Sequence, residues 1–408
     1  ASYRTDYRPR NGIQLMVMVV FGSPFQADSP FQTSENRFHM YDIKALVANP
    51  SRLLPFLSWI GKCKDPSVLT SDVIAGITVA LVLVPQSMAY AQLAGLPPYY
   101  GLYASFLPGI VAALFGSSRQ LATGPVAVVS LMTAAALEPL ALTPDMYVAY
   151  AIALALMVGI FQLILGTLRL GVLVDFLSHP VVIGFTNAAA IIIATSQLSK
   201  IFGVVVEKGE HHYDTIWSVI VAASTDTHKL TLGMGLLAIA IMALMKKFTP
   251  RLPNVLTAVV ITTLLSYFMG YESGGGMVVG TVPAGVTMPE VPTGLSWDIL
   301  VQLMTTAVII SIIGFMEAIS IAKAMAARTR QRLDPNQELI GQGIGNIVSG
   351  LFQGYAVSGS FSRSAVNINA GAVTGFSAVV TGLAVGATLL FLTPLLYHLP
   401  QATPVSYT

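Results

Sequence analysis

Two stretches decide how this chain folds: Gln120-Leu121-Ala122-Thr123-Gly124-Pro125 and Ser358-Gly359-Ser360-Phe361-Ser362-Arg363-Ser364. Each opens an apolar segment, yet neither reads as the interior of a helix. Pro125 suits a first helical position with Thr123 or Gly124 as the cap, which leaves about twelve residues of helix up to Leu137. The second stretch reads as an irregular strand feeding a half-length helix that ends at Ala370-Gly371. Backbone of this kind survives at membrane depth only where protein or a watery cavity surrounds it. Leu114-Phe115-Gly116 precedes the first stretch, and Leu351-Phe352-Gln353-Gly354 precedes the second at nearly the same distance. Corresponding broken segments in opposite orientation point to an inverted repeat with its site at the midplane. Two half-helix N-termini aimed at one point would make that point an anion site.

The remainder of the chain fits a lipid solvent. Of 408 residues, 54% are hydrophobic and only 10% charged, with a mean hydropathy of +0.72. Soluble domains carry about a quarter charged residues, enough to cover a wet surface. The formal net charge of +2 shows no clustered Lys/Arg footprint for nucleic acid. The single cysteine, Cys63, excludes an intrachain disulfide, and no Cys/His pattern suggests a metal or other cofactor. Uncharged stretches place spans between Asp72 and Arg119 (two helices divided at Gly95-Leu96-Pro97-Pro98), then at Met146–Leu168, Phe176–Ser199, Leu230–Met245 and Leu252–Tyr271. Further spans follow at Ile299–Met316, continuing as helix to Ala327, at Leu339–Gly354, and from Thr374 to Leu399. With the two half-length segments this makes about eleven membrane segments. Thr215–Thr225 is too short to span and is expected along the surface. Residues 1–70 read as a cytosolic, partly disordered segment, 71–400 as the membrane domain and 401–408 as a tail. Within the first, Leu53–Ile60 is expected at the membrane interface.

With the N-terminus cytoplasmic, Arg119, Arg169, Lys246, Lys247, Arg251, Arg328, Arg330 and Arg332 fall inside. Only Lys200, Lys208 and Lys229 fall outside, as the positive-inside rule requires. Glu317 and Arg363 are the ionisable residues deepest in membrane segments. Burial of such a charge costs about 2.5–3.5 kcal/mol on insertion scales, so it is usually functional and paired. The pair reads either as a structural salt bridge or as an anion site. In the second reading Arg363 offers its planar fork to an oxyanion, and Glu317 beside it neutralises Arg363 or takes up a proton. Gln86 and, one turn on, Tyr90 either line the same site or bond to neighbouring helices. His179 reads as a junction residue, Asp334-Pro335-Asn336-Gln337 as a helix cap, and Gly341-Gln342-Gly343-Ile344-Gly345 as close helix packing.

Pro97-Pro98-Tyr99-Tyr100-Gly101-Leu102-Tyr103-Ala104-Ser105-Phe106-Leu107-Pro108 resembles the signature of the SulP sulfate permease family, the solute-carrier anion transporter group that includes prestin. Ala122-Thr123-Gly124-Pro125-Val126-Ala127, Asn336-Gln337-Glu338-Leu339 and Gly359-Ser360-Phe361-Ser362-Arg363-Ser364-Ala365-Val366-Asn367 resemble further family motifs in the same order. The resemblance runs from about Leu53 to about Pro400. It implies an all-α integral membrane fold: a 7+7 inverted repeat of core and gate domains with two half-helices meeting at the midplane. An elevator-like cycle and a homodimer are also implied. About eleven of the fourteen segments are present here, and the regulatory STAS domain is absent from this sequence. The implied anion site lies at Gln86, Tyr90, Gly124, Val126, Ala127, Ser360, Phe361, Ser362 and Arg363, with Glu317 as the proton-coupling residue.

The expected function is secondary transport of sulfate or a related small oxyanion, coupled to protons, by a multi-pass plasma-membrane protein that is not an enzyme. An uncoupled exchanger or channel-like conductor for chloride, bicarbonate or oxalate is the first alternative. A truncated, non-transporting member is the second.

Overall fold

The first spanning helix, α1 (Pro66–Leu93), opens where Asp65 accepts from the Ser67 backbone N–H at 2.9 Å, with Pro66 at the first helical position. The Ser67 hydroxyl and the cap hold the exposed Asp65 carboxyl below the usual carboxylate range. The computed structural model describes residues 54–408 outside 141–142, 172–183, 185–186, 189–190, 193, 207–211, 250–253, 294 and 406–408. His179 and much of the expected span Phe176–Ser199 therefore lie outside the described residues, as does most of the N-terminal segment 1–70.

After α1 come α2 (Tyr99–Phe115), β1 (Ala122–Gly124), the half-helix α3 (Ala127–Leu137) and α4 (Pro144–Thr167). A second series repeats that order: α8 (Trp297–Thr329), α9 (Pro335–Leu351), β2 (Ser358–Ser360), the half-helix α10 (Phe361–Asn369) and α11 (Phe376–Ala387). The interval from Phe115 to Ala122 equals that from Leu351 to Ser358. The strands pair antiparallel, with Ala122 opposite Ser360 and Gly124 opposite Ser358, so the two halves enter the centre from opposite directions. This is the 7+7 inverted-repeat arrangement of an integral membrane protein. Between the series lie α5 (His212–Asp226), α6 (Lys229–Phe248) and α7 (Asn254–Phe268).

Among the described residues, four helices are long and apolar enough to cross a membrane: Pro66–Leu93, Pro144–Thr167, Trp297–Thr329 and Phe376–Leu396. The last includes a π-helical turn at Thr388–Leu392. The expected surface segment Thr215–Thr225 is α5, which is bent by 113° from α6.

Small residues let the helices of the core touch. A side chain at Gly343 would meet the Leu163 backbone nitrogen at 2.6 Å, and one at Gly341 would meet Gly116 Cα at 2.5 Å. The glycine run of α9 is thus the packing seam against α2 and α4 that its spacing suggests. Asp334 caps α9 by accepting from the Asn336 and Gln337 N–H groups, as its motif predicts.

Two expectations need correction. Asp72, read as the charge that bounds the first span, lies inside α1 and is fully buried. Its carboxylate accepts from the backbone N–H groups of Val373 and Thr374 at 2.7 and 3.1 Å and from the Thr374 hydroxyl. It therefore clamps the entry to α11, and three donors satisfy its charge. Within the segment expected at the lipid interface, Leu57 and Ile60 are exposed, but Trp59 is only 3% exposed. Its ring lies over Gly375, where any Cβ would meet it at 2.9 Å. Contact with α11 buries more of the indole than a lipid interface would. Asp72→Ala is expected to strip the buried Thr374 N–H and the part-buried Val373 N–H of their acceptor, costing on the order of 3 kcal/mol. Thermal unfolding in detergent should show a midpoint lowered by a few degrees.

Candidate functional site

The backbone at the centre is extended for local reasons. Gly124 precedes a proline, which biases it away from helix, and Val126 remains extended at φ −136°, ψ 149° before α3 begins. On the other side Ser360 caps α10, accepting from the Arg363 backbone N–H at 3.5 Å. Ser364 Oγ accepts from the Ala122 N–H at 2.9 Å, and Ser358 Oγ donates to the Gly314 carbonyl of α8 at 2.6 Å. Gly359 admits α8 closely, since a Cβ there would meet Ala318 Cα at 3.0 Å. The short strands are thus fastened on both sides, and a half-helix leaves each end of the pair.

Arg363 is completely buried. Its Nη1 donates to Gln86 Oε1 at 3.1 Å and its Nη2 to the Pro125 carbonyl at 2.8 Å. Gln86 in turn donates through Nε2 to the Tyr90 hydroxyl at 3.1 Å. One chain of hydrogen bonds therefore joins α1, the first turn of α10 and the entry to α3. Tyr90 and Leu93 together pack against Ala127, Val128 and Leu131 of α3. A Cβ on Gly124 would come within 3.4 Å of Arg363 Nη2, so little space remains beside the guanidinium.

The predicted residues come together at this place with differing access. Val126 is 4% exposed, whereas Phe361 is 57% exposed and Ser362 is exposed beside it. Ser362 Oγ lies 3.3 Å from Ser360 Oγ. Helix α3 has no side-chain hydrogen bond at its cap, and its first backbone bond runs from Ser130 to Val126. The N–H groups of its first turn therefore remain as donors, reinforced by the helix dipole. A cation, free N–H groups and hydroxyls at converging helix starts are the chemistry that holds a small oxyanion.

Glu317 does not sit as expected. No ion pair within 4.0 Å joins it to Arg363 among the described residues; the terminal nitrogens of the guanidinium donate to Gln86 and the Pro125 carbonyl. Glu317 instead projects from α8, against which β2 packs. Its Oε2 is buried without a hydrogen-bond partner.

Sequence reasoning missed the polar stripe of α9. Glu338 accepts from the Ser117 and Ser118 N–H groups at 2.9 Å each. Gln342 donates to Thr123 Oγ1 of β1 at 2.8 Å. The Asn346 amide brackets Val357, donating to its carbonyl at 3.0 Å and accepting from its N–H at 2.7 Å. These side chains hold both extended entries from one helix face. Their four-residue spacing in an otherwise apolar helix was a readable signal, overshadowed by the glycines between them.

A sequence profile described as "Sulfate permease family" matches residues 69–404. The chain is 41% identical over 358 residues to the Arabidopsis thaliana protein named "Sulfate transporter 4.1, chloroplastic", covering 86% of this chain and 52% of that protein. It is 39% identical over 337 residues to a probable sulfate transporter of Mycobacterium tuberculosis, covering 82% and 59%. Its fold is similar to that of SLC26A9, with a TM-score of 0.81 at 25% identity over 90% of this chain and 61% of that one. The transmembrane domain of a cyanobacterium bicarbonate transporter, BicA, is also similar, with a TM-score of 0.75 at 26% identity over 84% and 88%. The chain spans about half the length of the first of these curated relatives.

Proposed function

The chain belongs to the sulfate permease family, and from that premise we propose that it carries sulfate, or an oxyanion of similar size, across a membrane as a proton-coupled secondary transporter. The observation that carries this reading is the buried Arg363, held at the start of one half-helix and bonded to the entry of the other. An oxyanion arriving at the exposed Ser362 side takes the place of Gln86 on Nη1 and accepts from the free N–H groups of α3. Gln86 and Tyr90 then reorient to the ligand as donors. Sulfate takes part through its oxygens alone, so no cofactor is needed.

Charge balance supports the coupling. Sulfate carries two negative charges and Arg363 one positive charge, so an ionised Glu317 adds repulsion at a site shielded from water. A proton on Glu317 removes that repulsion, and the unpartnered Oε2 leaves an oxygen free to carry it. The elements fastened around β1 and β2 then move as one body against the rest in an elevator-like cycle. A homodimer in the plasma membrane with a cytoplasmic N-terminus completes the proposal.

Labelled sulfate uptake into proteoliposomes, with and without an inward proton gradient, tests it. Wild-type uptake is expected to rise with the gradient. In Glu317→Gln, which mimics the protonated acid, the stimulation should vanish while gradient-free exchange persists. A Glu317→Gln variant with an unchanged response to the gradient would refute coupling through this residue and favour the uncoupled exchanger. No sulfate uptake by the wild type under either condition would refute the transport reading.

A further inference from the structure

Arg363 has a side that the anion does not use. Behind β1, where α1, α2, α10 and α11 meet, a cavity of ≈ 10 Å³ is bordered by Leu83, Ser105, Thr123, Arg363, Asn367 and Thr381. That volume admits about one water molecule. Two buried polar atoms of its lining residues have no hydrogen-bond partner: Arg363 Nε and Asn367 Oδ1. One can only donate and the other can only accept. The residues are one turn apart on α10, so their side chains share a face. The amide cannot be turned around to change roles, because Asn367 Nδ2 already donates to the Gln120 carbonyl at 3.2 Å. Thr123 Oγ1, which accepts from Gln342 Nε2 at 2.8 Å, keeps a hydroxyl proton to give.

We propose that an ordered water occupies this cavity, accepting from Arg363 Nε and donating to Asn367 Oδ1, and that Asn367 acts through it as a positioning residue for Arg363. The hydroxyl of Thr123 supplies a third bond, which is the usual number for a buried water. With Nε anchored from behind and Nη2 on Pro125, the guanidinium plane is set before the anion arrives. Only Nη1 then exchanges its partner. The positioning role rests on the transport reading above; the water does not.

The test combines a cryo-EM structure of the full-length protein, at a resolution that shows waters, with sulfate uptake kinetics. Density is expected within hydrogen-bond distance of both Arg363 Nε and Asn367 Oδ1. Asn367→Leu, which fills the space and removes the acceptor, is expected to raise the sulfate KM about tenfold with Vmax within about twofold. Asn367→Ser, whose hydroxyl and freed volume readmit water, should recover most of that loss. A merely structural role for Asn367 would lower the amount of folded protein and Vmax without moving KM. Absence of density overturns the proposal, and this outcome does not depend on any variant folding. Density with an unchanged KM in Asn367→Leu overturns the positioning role. A wild type that carries no sulfate defeats the transport reading and the positioning role together, and the water is still decided by the density.

Discussion

Arg363→Gln is expected to abolish saturable sulfate uptake, with affinity reduced at least about 30-fold. Truncating one member of a buried, hydrogen-bonded charged pair typically costs about 2–5 kcal/mol, and each 1.4 kcal/mol is tenfold. Here the loss falls on the bound state, because the anion loses the guanidinium charge while the half-helix starts supply only partial charges. The empty state is affected too, since Arg363 is the group that ties Gln86 of α1 to the Pro125 carbonyl. Arg363→Lys separates the two effects. Lysine keeps the charge, but a single ammonium cannot reproduce a planar fork that serves two acceptors on different elements. Its sulfate affinity should lie between those of the wild type and the glutamine variant. Equilibrium binding of labelled sulfate to the detergent-solubilised protein measures this without requiring transport. Unchanged affinity in Arg363→Gln would place the anion somewhere else.

Gly101→Val should prevent the protein from folding. At Gly101 the α2 backbone lies directly on α1, and any Cβ would overlap the Ser87 carbonyl and approach the Met88 nitrogen at 2.9 Å. All of these neighbours are backbone, so no side chain can swing aside. The penalty should exceed the roughly 1–3 kcal/mol usual for overpacking, and a smaller Gly101→Ala should already be strongly destabilised. Ser87 adjoins Gln86, so a variant that did fold with α1 displaced would lose the Gln86–Arg363 bond and sulfate affinity with it. Gly233→Ala is the control, because a Cβ in that part of α6 meets nothing within 4 Å. Removing backbone freedom there should leave stability unchanged or raised by about 0.5–1 kcal/mol. Size-exclusion profiles and thermal unfolding in detergent would compare the three variants. A monodisperse Gly101→Val protein with a wild-type midpoint would contradict the packing described here.

Local chemistry made much of this protein legible from the chain itself. Scarcity of charge dictated a lipid solvent. Pro125 and the serine-rich Ser358–Ser364 marked the two broken segments, since proline and hydroxyl caps act within a few residues of themselves. The glycine run of α9 announced a close helix contact because a missing side chain is a local property. Which groups satisfy the buried polar atoms is a different matter. Asp72 is 301 and 302 residues from the N–H groups it caps, and Arg363 is 277 residues from Gln86. A carboxylate reads the same in sequence whether it bounds a span or clamps a loop inside one, and a tryptophan reads the same against lipid or protein. For this reason Glu317 makes no direct ion pair with Arg363 among the described residues. Opposite charges attract, but the seating of β2 between α8 and β1 and the reach of Arg363 to α1 gave the guanidinium other acceptors. Hydropathy and caps depend on neighbours in the chain, so the sequence determined the four long apolar helices and the two half-helices. Hydrogen-bond partners depend on which helices meet, so only the tertiary structure decided how Arg363 is held.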